Sequence, residues 1–196
     1  MRTKTKALTL ALCAVLLVVT TVFATMAFLT SKDSVTNTFT VGNVAITMDE
    51  ADVKTDGSYE TDKDSRVDAN VYHLIPGHTY IKDPTIHVNE NSEACWVFAK
   101  IENGLGNAAA LAMNSTENQT GYWTEIDETN HIWAYSVALN AGESSAALFE
   151  TFTVDNNANV SEYQNAEIVV SGYAIQADGF ATANAAWEAA GTQAQG

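Results

Sequence analysis

The sequence predicts an all-β protein, an antiparallel β-sandwich of jelly-roll type, with an N-terminal signal helix and a short C-terminal helix. Segments such as "ACWVFAKI" and "NAEIVVSGYAIQ" have apolar residues at every second position, as strands with one buried face do. Frequent turn signals divide the chain into about eight short strands, which favours a jelly roll. The final segment "FATANAAWEAAG" is rich in alanine, with Thr182 placed to cap a helix and Gly191 placed to end it.

The first half of the predicted domain begins with "VTNTFTVGNVAITM", a strand with Phe39 and Val41 on one face and a bend at Gly42-Asn43. The Asp-rich stretch "DEADVKTDGSYETDKDSRVD" is predicted to be a loop. In "NVYHLIPGHTYI" we expect two short strands about a type II turn at Pro76-Gly77. Another strand and a polar turn precede the strand "ACWVFAKI".

The second half continues with "GLGNAAALAMNSTENQTG", in which the alanines favour a short helix from Ala108 to Met113. The segments "YWTEID" and "HIWAYSVAL" predict a hairpin, with Trp123, Trp133 and Tyr135 as core or interface anchors. A turn and a strand in "LNAGESSAALFETFTV" and the long strand "NAEIVVSGYAIQ" complete the predicted sheets.

The N-terminal segment has the pattern of a secretory signal. Three basic residues precede an uncharged apolar run at positions 7–29, and small residues near its end predict cleavage between Ala27 and Phe28. The predicted organisation is a signal peptide at 1–27, an N-terminal strand segment at 28–48 and a β-sandwich domain at 49–196. Since about 20 apolar residues can span a bilayer, a retained membrane anchor is the alternative.

The charge of the chain excludes two classes of partner. The formal net charge is −15, and no Lys or Arg follows Lys100. Nucleic acids and anionic membranes are bound through basic surfaces, so we expect neither as a partner, and membrane contact only through the signal before cleavage.

Cysteine usage excludes an intrachain disulfide in the mature chain. Of the two cysteines, Cys13 lies in the predicted signal, which leaves Cys95 in the strand "ACWVFAKI". We interpret Cys95 as a small hydrophobic residue of a packed sheet; an intermolecular bond or a reactive thiol is the alternative.

Candidate metal ligands are few. His73 and His78 flank the Pro76-Gly77 turn and have Asp83 nearby, a residue set that zinc accepts. The His-Glu-x-x-His helix of zinc proteases is absent, and no nucleophile motif or phosphate loop is present. We therefore predict no catalytic residue, no metal site and no cofactor, and no enzymatic activity.

The Asp-rich loop partly resembles a calcium-binding loop. Aligned on Gly57, the pattern gives Asp52 and Asp56 at ligand positions, but Lys54 and Lys63 stand where acidic ligands belong. A solvated loop is the favoured interpretation, and weak calcium binding stays open.

Three stretches together resemble the TasA/camelysin family of Gram-positive bacteria, which is exported through a SipW-type signal peptidase. They are "TMAFLTSKDSVTNTFTVGNVAITMDE", "VYHLIPGHTYIKDPTIHVNENSEACWVFAKIEN" and "VVSGYAIQADGF", and the resemblance covers nearly the whole chain. It implies a jelly-roll domain and a secreted, extracellular role in the biofilm matrix or at the cell surface.

The resemblance also implies a mode of assembly. Fibre-forming members polymerise head to tail by donating the mature N-terminal strand, which here is the segment from Phe28 to about Val41. The predicted assembly-strand residues are strong strand formers: Thr36, Thr38, Phe39, Thr40 and Val41. The partners would be further copies of the chain or related matrix proteins. The same pattern fits a strand that pairs within its own domain.

These sequence features are compatible with three classes of function. The first is a secreted structural protein that self-assembles by strand donation. The second is a monomeric surface-binding module that presents an aromatic face to a glycan or a protein, with candidates Trp96, Trp123, Trp133 and Tyr135. The third, favoured least, is a camelysin-like metalloprotease that uses His73 and His78.

Overall fold

The computed structural model describes residues 43–117 and 121–193. The predicted signal peptide and its cleavage site between Ala27 and Phe28 lie outside the described residues. So do the predicted assembly-strand residues Thr36, Thr38, Phe39, Thr40 and Val41. Among the helices that are described, none has both the length and the apolar character needed to cross a membrane.

The described chain consists of antiparallel strands and one α-helix, which confirms the all-β prediction. The strands are β1 (Ile46–Ala51), β2 (Arg66–Val67), β3 (Thr79–Ile81), β4 (Thr85–Val88), β5 (Cys95–Asn103), β6 (Ala109–Met113), β7 (Trp123–Asp127), β8 (Ile132–Tyr135), β9 (Phe149–Val154) and β10 (Ile168–Gln176). The helix α1 is Ala183–Gln193, and short 3₁₀ turns occur at Gly106–Ala108 and Val160–Tyr163.

The strands form three sheets, with the orders β2-β1-β4, β10-β5-β8-β7 and β3-β9-β6. The side chains of strand β5 alternate between two faces, and each face packs against a different layer. Val97 and Ala99 point into a core shared with Ile86 and Val88 of β4. Phe98, on the opposite face, packs against Ala186 of α1 in a second cluster. The central sheet is therefore covered by another sheet on one face and by the helix on the other.

Several predicted elements are confirmed. The segment "ACWVFAKI" lies in β5 from its second residue onward, and "NAEIVVSGYAIQ" contains β10. Strands β7 and β8 form the expected hairpin, in which Trp123 is paired with Tyr135. Gly77 has φ 75° and His78 N donates to Ile75 O at 3.1 Å, as a type II turn at Pro76-Gly77 requires.

The helix predicted from Ala108 to Met113 is wrong. A 3₁₀ turn precedes β6, in which Ala109 pairs with Val154 and Leu111 with Phe152 of β9. Alternating contacts with this distant strand outweigh the helix propensity of the alanines.

The strand predicted just before Pro76 is also absent. The main chain there is held by separate bonds: His73 N donates to Thr55 O at 2.7 Å and Tyr80 Oη donates to His73 O at 2.6 Å. These bonds hold the segment in place without a ladder of paired strands.

The C-terminal helix is confirmed, and one of its two boundaries is as predicted. Ala185 N donates to the side-chain oxygen of Thr182 at 3.2 Å, so Thr182 caps the helix. Gly191 does not end it, because the helix continues to Gln193. Gly191 lacks the positive φ that a glycine C-cap adopts.

Candidate functional site

Among the described residues, strand β10 lies at one edge of the central sheet, next to β5. It pairs along its whole length with β5, from Ile168 opposite Asn103 to Gln176 opposite Cys95. Just beyond the two ends, Gly104 N donates to Glu167 O and Ala177 N to Ala94 O, each at 2.8 Å. Such bonds recur at every second residue of an antiparallel pair. The odd-numbered residues of β10 therefore direct their main-chain groups at β5, and the even-numbered residues direct theirs away from it.

The outward main-chain groups form an open edge, which we call the β10 edge. It consists of the N–H and C=O groups of Ile168, Val170, Gly172, Ala174 and Gln176. No strand among the described residues pairs with it. Proteins commonly protect such an edge with charges, prolines or bulges, because unpaired strands recruit other chains. β10 has no charged residue, no proline and an unbroken register of nine residues.

The other terminal strands are less suited to accept a partner. β7 carries Glu125 and Asp127 and has an irregular register between them. β6 has a register shift between Leu111 and Met113. β2, β3 and β4 contain only two, three and four residues. The β10 edge is therefore the longest regular and uncharged edge in the described part of the chain.

Apolar side chains lie on both faces of β10, and those on the helix side are partly exposed. On the core side, a Cβ added at Gly172 would lie 3.3 Å from Ile86 Cδ1 and 3.5 Å from Ile46 Cδ1. On the helix side, Val169 is 39% exposed and Tyr173 is 42% exposed. The Tyr173 ring lies edge-on to Trp187 of α1, with 6.0 Å between ring centroids. A strand added here would pair its main chain and place alternate side chains against this apolar surface.

A buried polar cluster lies at the end of β1. Lys82 Nζ contacts Glu50 Oε2, and Asn70 Nδ2 donates to Glu50 Oε1 at 2.9 Å. Glu50 and Lys82 are only 4% and 9% exposed. Beside them, burial raises the pKa of the Tyr72 phenol well above its usual range, and the carboxylates of Glu50 and Asp83 raise that pKa further. Tyr72 is therefore a neutral donor, and its hydroxyl donates to Ile81 O at 2.9 Å.

A second polar cluster surrounds Arg66 of β2. Its guanidinium contacts Asp49 Oδ1 at 2.7 Å and Asp83 Oδ2 at 2.6 Å. Burial raises the pKa of Asp49, but contacts with His87 and Arg66 outweigh burial and hold that pKa below its ordinary value. His87 Nδ1 is 2.7 Å from Ser144 Oγ. Its Nε2 is 3.0 Å from Asp49 Oδ1.

The residues considered as candidate zinc ligands, although no metal site was predicted, have other contacts. His78 Nε2 lies 2.8 Å from Asp56 O, and the His78 ring packs edge-on against Tyr80. Asp83 contacts Arg66 and accepts a hydrogen bond from Ala51 N at 2.6 Å. In the ranges that the structure describes, no three His, Cys, Asp or Glu side chains converge as a metal site.

The residues of the candidate calcium loop form a turn that packs against the core. Asp56 Oδ1 accepts hydrogen bonds from Ser58 N at 2.9 Å and Ser58 Oγ at 2.7 Å, which lower the pKa of Asp56. Gly57 has φ 80°, and a Cβ there would lie 2.7 Å from Cδ1 of Tyr80. The glycine is therefore required by this close packing, independently of any cation.

Two of the four aromatic candidates for a binding face belong to the core. Trp123 is fully buried, and its Nε1 donates to Ala146 O at 2.9 Å. Tyr135 is 5% exposed and packs against Trp123. Neither ring is accessible to a glycan or a protein, whereas Trp96 and Trp133 are half-buried. Cys95 is buried, as predicted, and burial raises the pKa of its thiol.

Comparison of the chain with known protein families, with curated proteins and with solved structures finds no match. The resemblance to the TasA/camelysin family is therefore supported only by the sequence segments quoted above. The alternating pattern of β10 indicated a strand, but it carried no signal that the strand lies at an edge. The Glu50–Asn70–Lys82 cluster has no signal in the sequence, because its members are isolated polar residues without a motif.

Proposed function

We propose that this chain is a secreted structural protein of the extracellular matrix or the cell surface, a jelly-roll subunit of a fibre. In the assembly, the N-terminal segment of one copy adds to the β10 edge of the next. The open, uncharged edge of β10 is the observation that carries the proposal.

The chemistry of the two partners is complementary. Strand addition gives the five outward-facing residues of β10 main-chain hydrogen bonds that they lack within the described chain. The segment from Phe28 to Val41 contains threonines, phenylalanine and valine, which favour an extended conformation. Its alternate side chains would pack beside Val169 and Tyr173, both partly exposed.

The arrangement also determines the form of the assembly. The donor segment and the β10 edge are different surfaces of one chain, so each copy both donates and accepts. A head-to-tail contact of this kind that does not close into a ring produces a filament. In this proposal, signal cleavage after Ala27 frees the donor segment from the membrane, so that assembly begins only outside the cell.

Two chains test the proposal: one begins at Phe28 and the other at Asn43, which keeps β1 intact. Both are concentrated, sedimented and imaged by negative-stain electron microscopy. We expect filaments from the first chain only, and binding of a synthetic peptide of residues 28–41 by the second. Folding of the shorter chain is checked by circular dichroism.

The alternatives give different results. If the Phe28 chain stays monomeric while the shorter chain binds the peptide, the strand pairs within its own domain and the assembly proposal fails. If both chains are monomeric and the peptide does not bind, the β10 edge is not an acceptor.

A further inference from the structure

Lys82 and Asn70 share the buried carboxylate of Glu50 as a contact. Lys82 Nζ and Asn70 Nδ2 contact the two oxygens of the same Glu50 carboxylate. An amine and a carboxamide are thus held together at one buried acid–base group. A buried ion pair also needs hydrogen bonds to its remaining oxygens, and Asn70 Nδ2 supplies one, which places the carboxamide on the same carboxylate that holds the Lys82 amine.

We propose that Lys82 and Asn70 form an intramolecular isopeptide bond, with Glu50 as the proton-transfer group. Nζ of Lys82 attacks Cγ of Asn70, and a new C–N bond forms. The bond from Cγ to Nδ2 breaks, and Nδ2 leaves as ammonia. The product is an amide that joins the two side chains, and the reaction needs no oxidant, reductant or other reactant.

Glu50 is placed to move each proton that the reaction requires. Its Oε2 contacts Nζ and takes one proton from the Lys82 ammonium, which leaves a nucleophilic amine. Its Oε1 already accepts a hydrogen bond from Nδ2, which holds the leaving nitrogen beside the acid, and the protonated carboxyl then transfers its proton to that nitrogen. Glu50 then takes the remaining extra proton from Nζ.

The main chain around Asn70 assists the same step. Val53 N donates to Asn70 Oδ1 at 2.9 Å, the oxygen on which negative charge develops during attack. Asn70 Nδ2 also donates to Ala51 O at 2.8 Å, which fixes the plane of the carboxamide. Ala51 and Val53 are buried and exclude water from one side. On the other side, Asn70 lines an open cleft through which ammonia leaves.

The Arg66 cluster lacks the groups that this reaction needs. Its guanidinium is always protonated and is not a nucleophile, and its contacts are two carboxylates, two main-chain oxygens and the Thr85 hydroxyl. No carboxamide contacts it within the described residues. The isopeptide proposal does not depend on the assembly proposal, because all three residues belong to one subunit.

Intact-mass spectrometry of the purified, denatured chain tests the proposal. We expect a mass lower than the sequence requires by one ammonia, and a peptide map in which the peptides of Asn70 and Lys82 are joined. Lys82→Arg keeps the charge but removes the nucleophile, and Glu50→Gln removes the proton acceptor. Both variants are expected at full sequence mass. Lys100→Arg is the matched control, because Lys100 lies at the surface, where its Nζ is 3.0 Å from Glu102 Oε1. We expect this variant to lose one ammonia, as the wild-type chain does.

Two results would overturn the proposal. The first is a wild-type chain that keeps its full sequence mass after prolonged incubation of the folded protein. The second is a loss of ammonia that persists in Lys82→Arg, which would indicate succinimide formation at an asparagine. The peptide map of the wild-type protein decides the question even if a variant fails to fold.

Discussion

Ala174 lies on the β10 edge, so Ala174→Pro should weaken filament assembly by the chain that begins at Phe28. Proline removes one N–H that points away from β5, and its ring occupies the space in front of the edge. A typical hydrogen bond contributes about 1 kcal/mol, which corresponds to about a fivefold change in an association constant. We therefore expect the concentration of unassembled protein at equilibrium to rise at least about fivefold, with the steric effect of the ring adding to that value.

The assay is sedimentation of filaments over a range of total concentrations, with the protein left in the supernatant as the measured quantity. Ala174→Val is the matched control, because valine is close to proline in volume and keeps the N–H. Prolines are tolerated where the lost N–H faces solvent, so the thermal midpoint of Ala174→Pro should remain close to that of the control.

Two outcomes would refute this reasoning. Equal supernatant concentrations for the proline and valine variants would show that this edge takes no part in assembly. Unfolding of Ala174→Pro alone would show that the N–H pairs with β5, and that the direction assigned to the edge is wrong.

Two further predictions concern the stability of the domain. Phe98 is fully buried, and its ring centroid lies 4.9 Å from that of Trp187. Phe98→Ala should therefore lower the free energy of unfolding, measured by urea titration, by about 3–5 kcal/mol. Lys100→Ala, on the same face of β5, should leave the urea midpoint nearly unchanged; a similar loss in both variants would contradict the packing described. The pKa of Asp49 is lower in the folded state than its ordinary 3.8, so its contribution to stability is present above that value. That contribution should disappear as the pH falls below 3.8 through the folded pKa, and Asp49→Asn should flatten this part of the stability profile; an unchanged profile would contradict the assignment.

Local patterns predicted the elements whose successive side chains alternate between a buried face and a less buried face. The strand β5 and the β7–β8 hairpin follow this rule, and Thr182 caps the helix as its side chain allows. The prediction was wrong from Ala109 to Met113, where pairing with β9 decides the conformation. It was also wrong just before Pro76, where single contacts to Thr55 and Tyr80 replace a ladder.

The candidate sites depended much less on local pattern. Glu50, Asn70 and Lys82 lie in three separate segments, and only the packing of β1 against the chain near β3 brings them together. Trp123 and Tyr135 were equally good candidates for a core or a binding face, because an aromatic side chain suits either. Their burial decided the question.

The sequence by itself determined that this chain is acidic, is rich in strands and has an alanine-rich helix after the last strand, because charge and side-chain periodicity are properties of short segments. Only the tertiary structure decided which strand lies at the edge of its sheet and which polar groups meet in the interior. Both depend on residues that are distant in sequence and adjacent in space, and no local pattern records that adjacency. The β10 edge and the Glu50–Asn70–Lys82 cluster are consequences of that long-range packing.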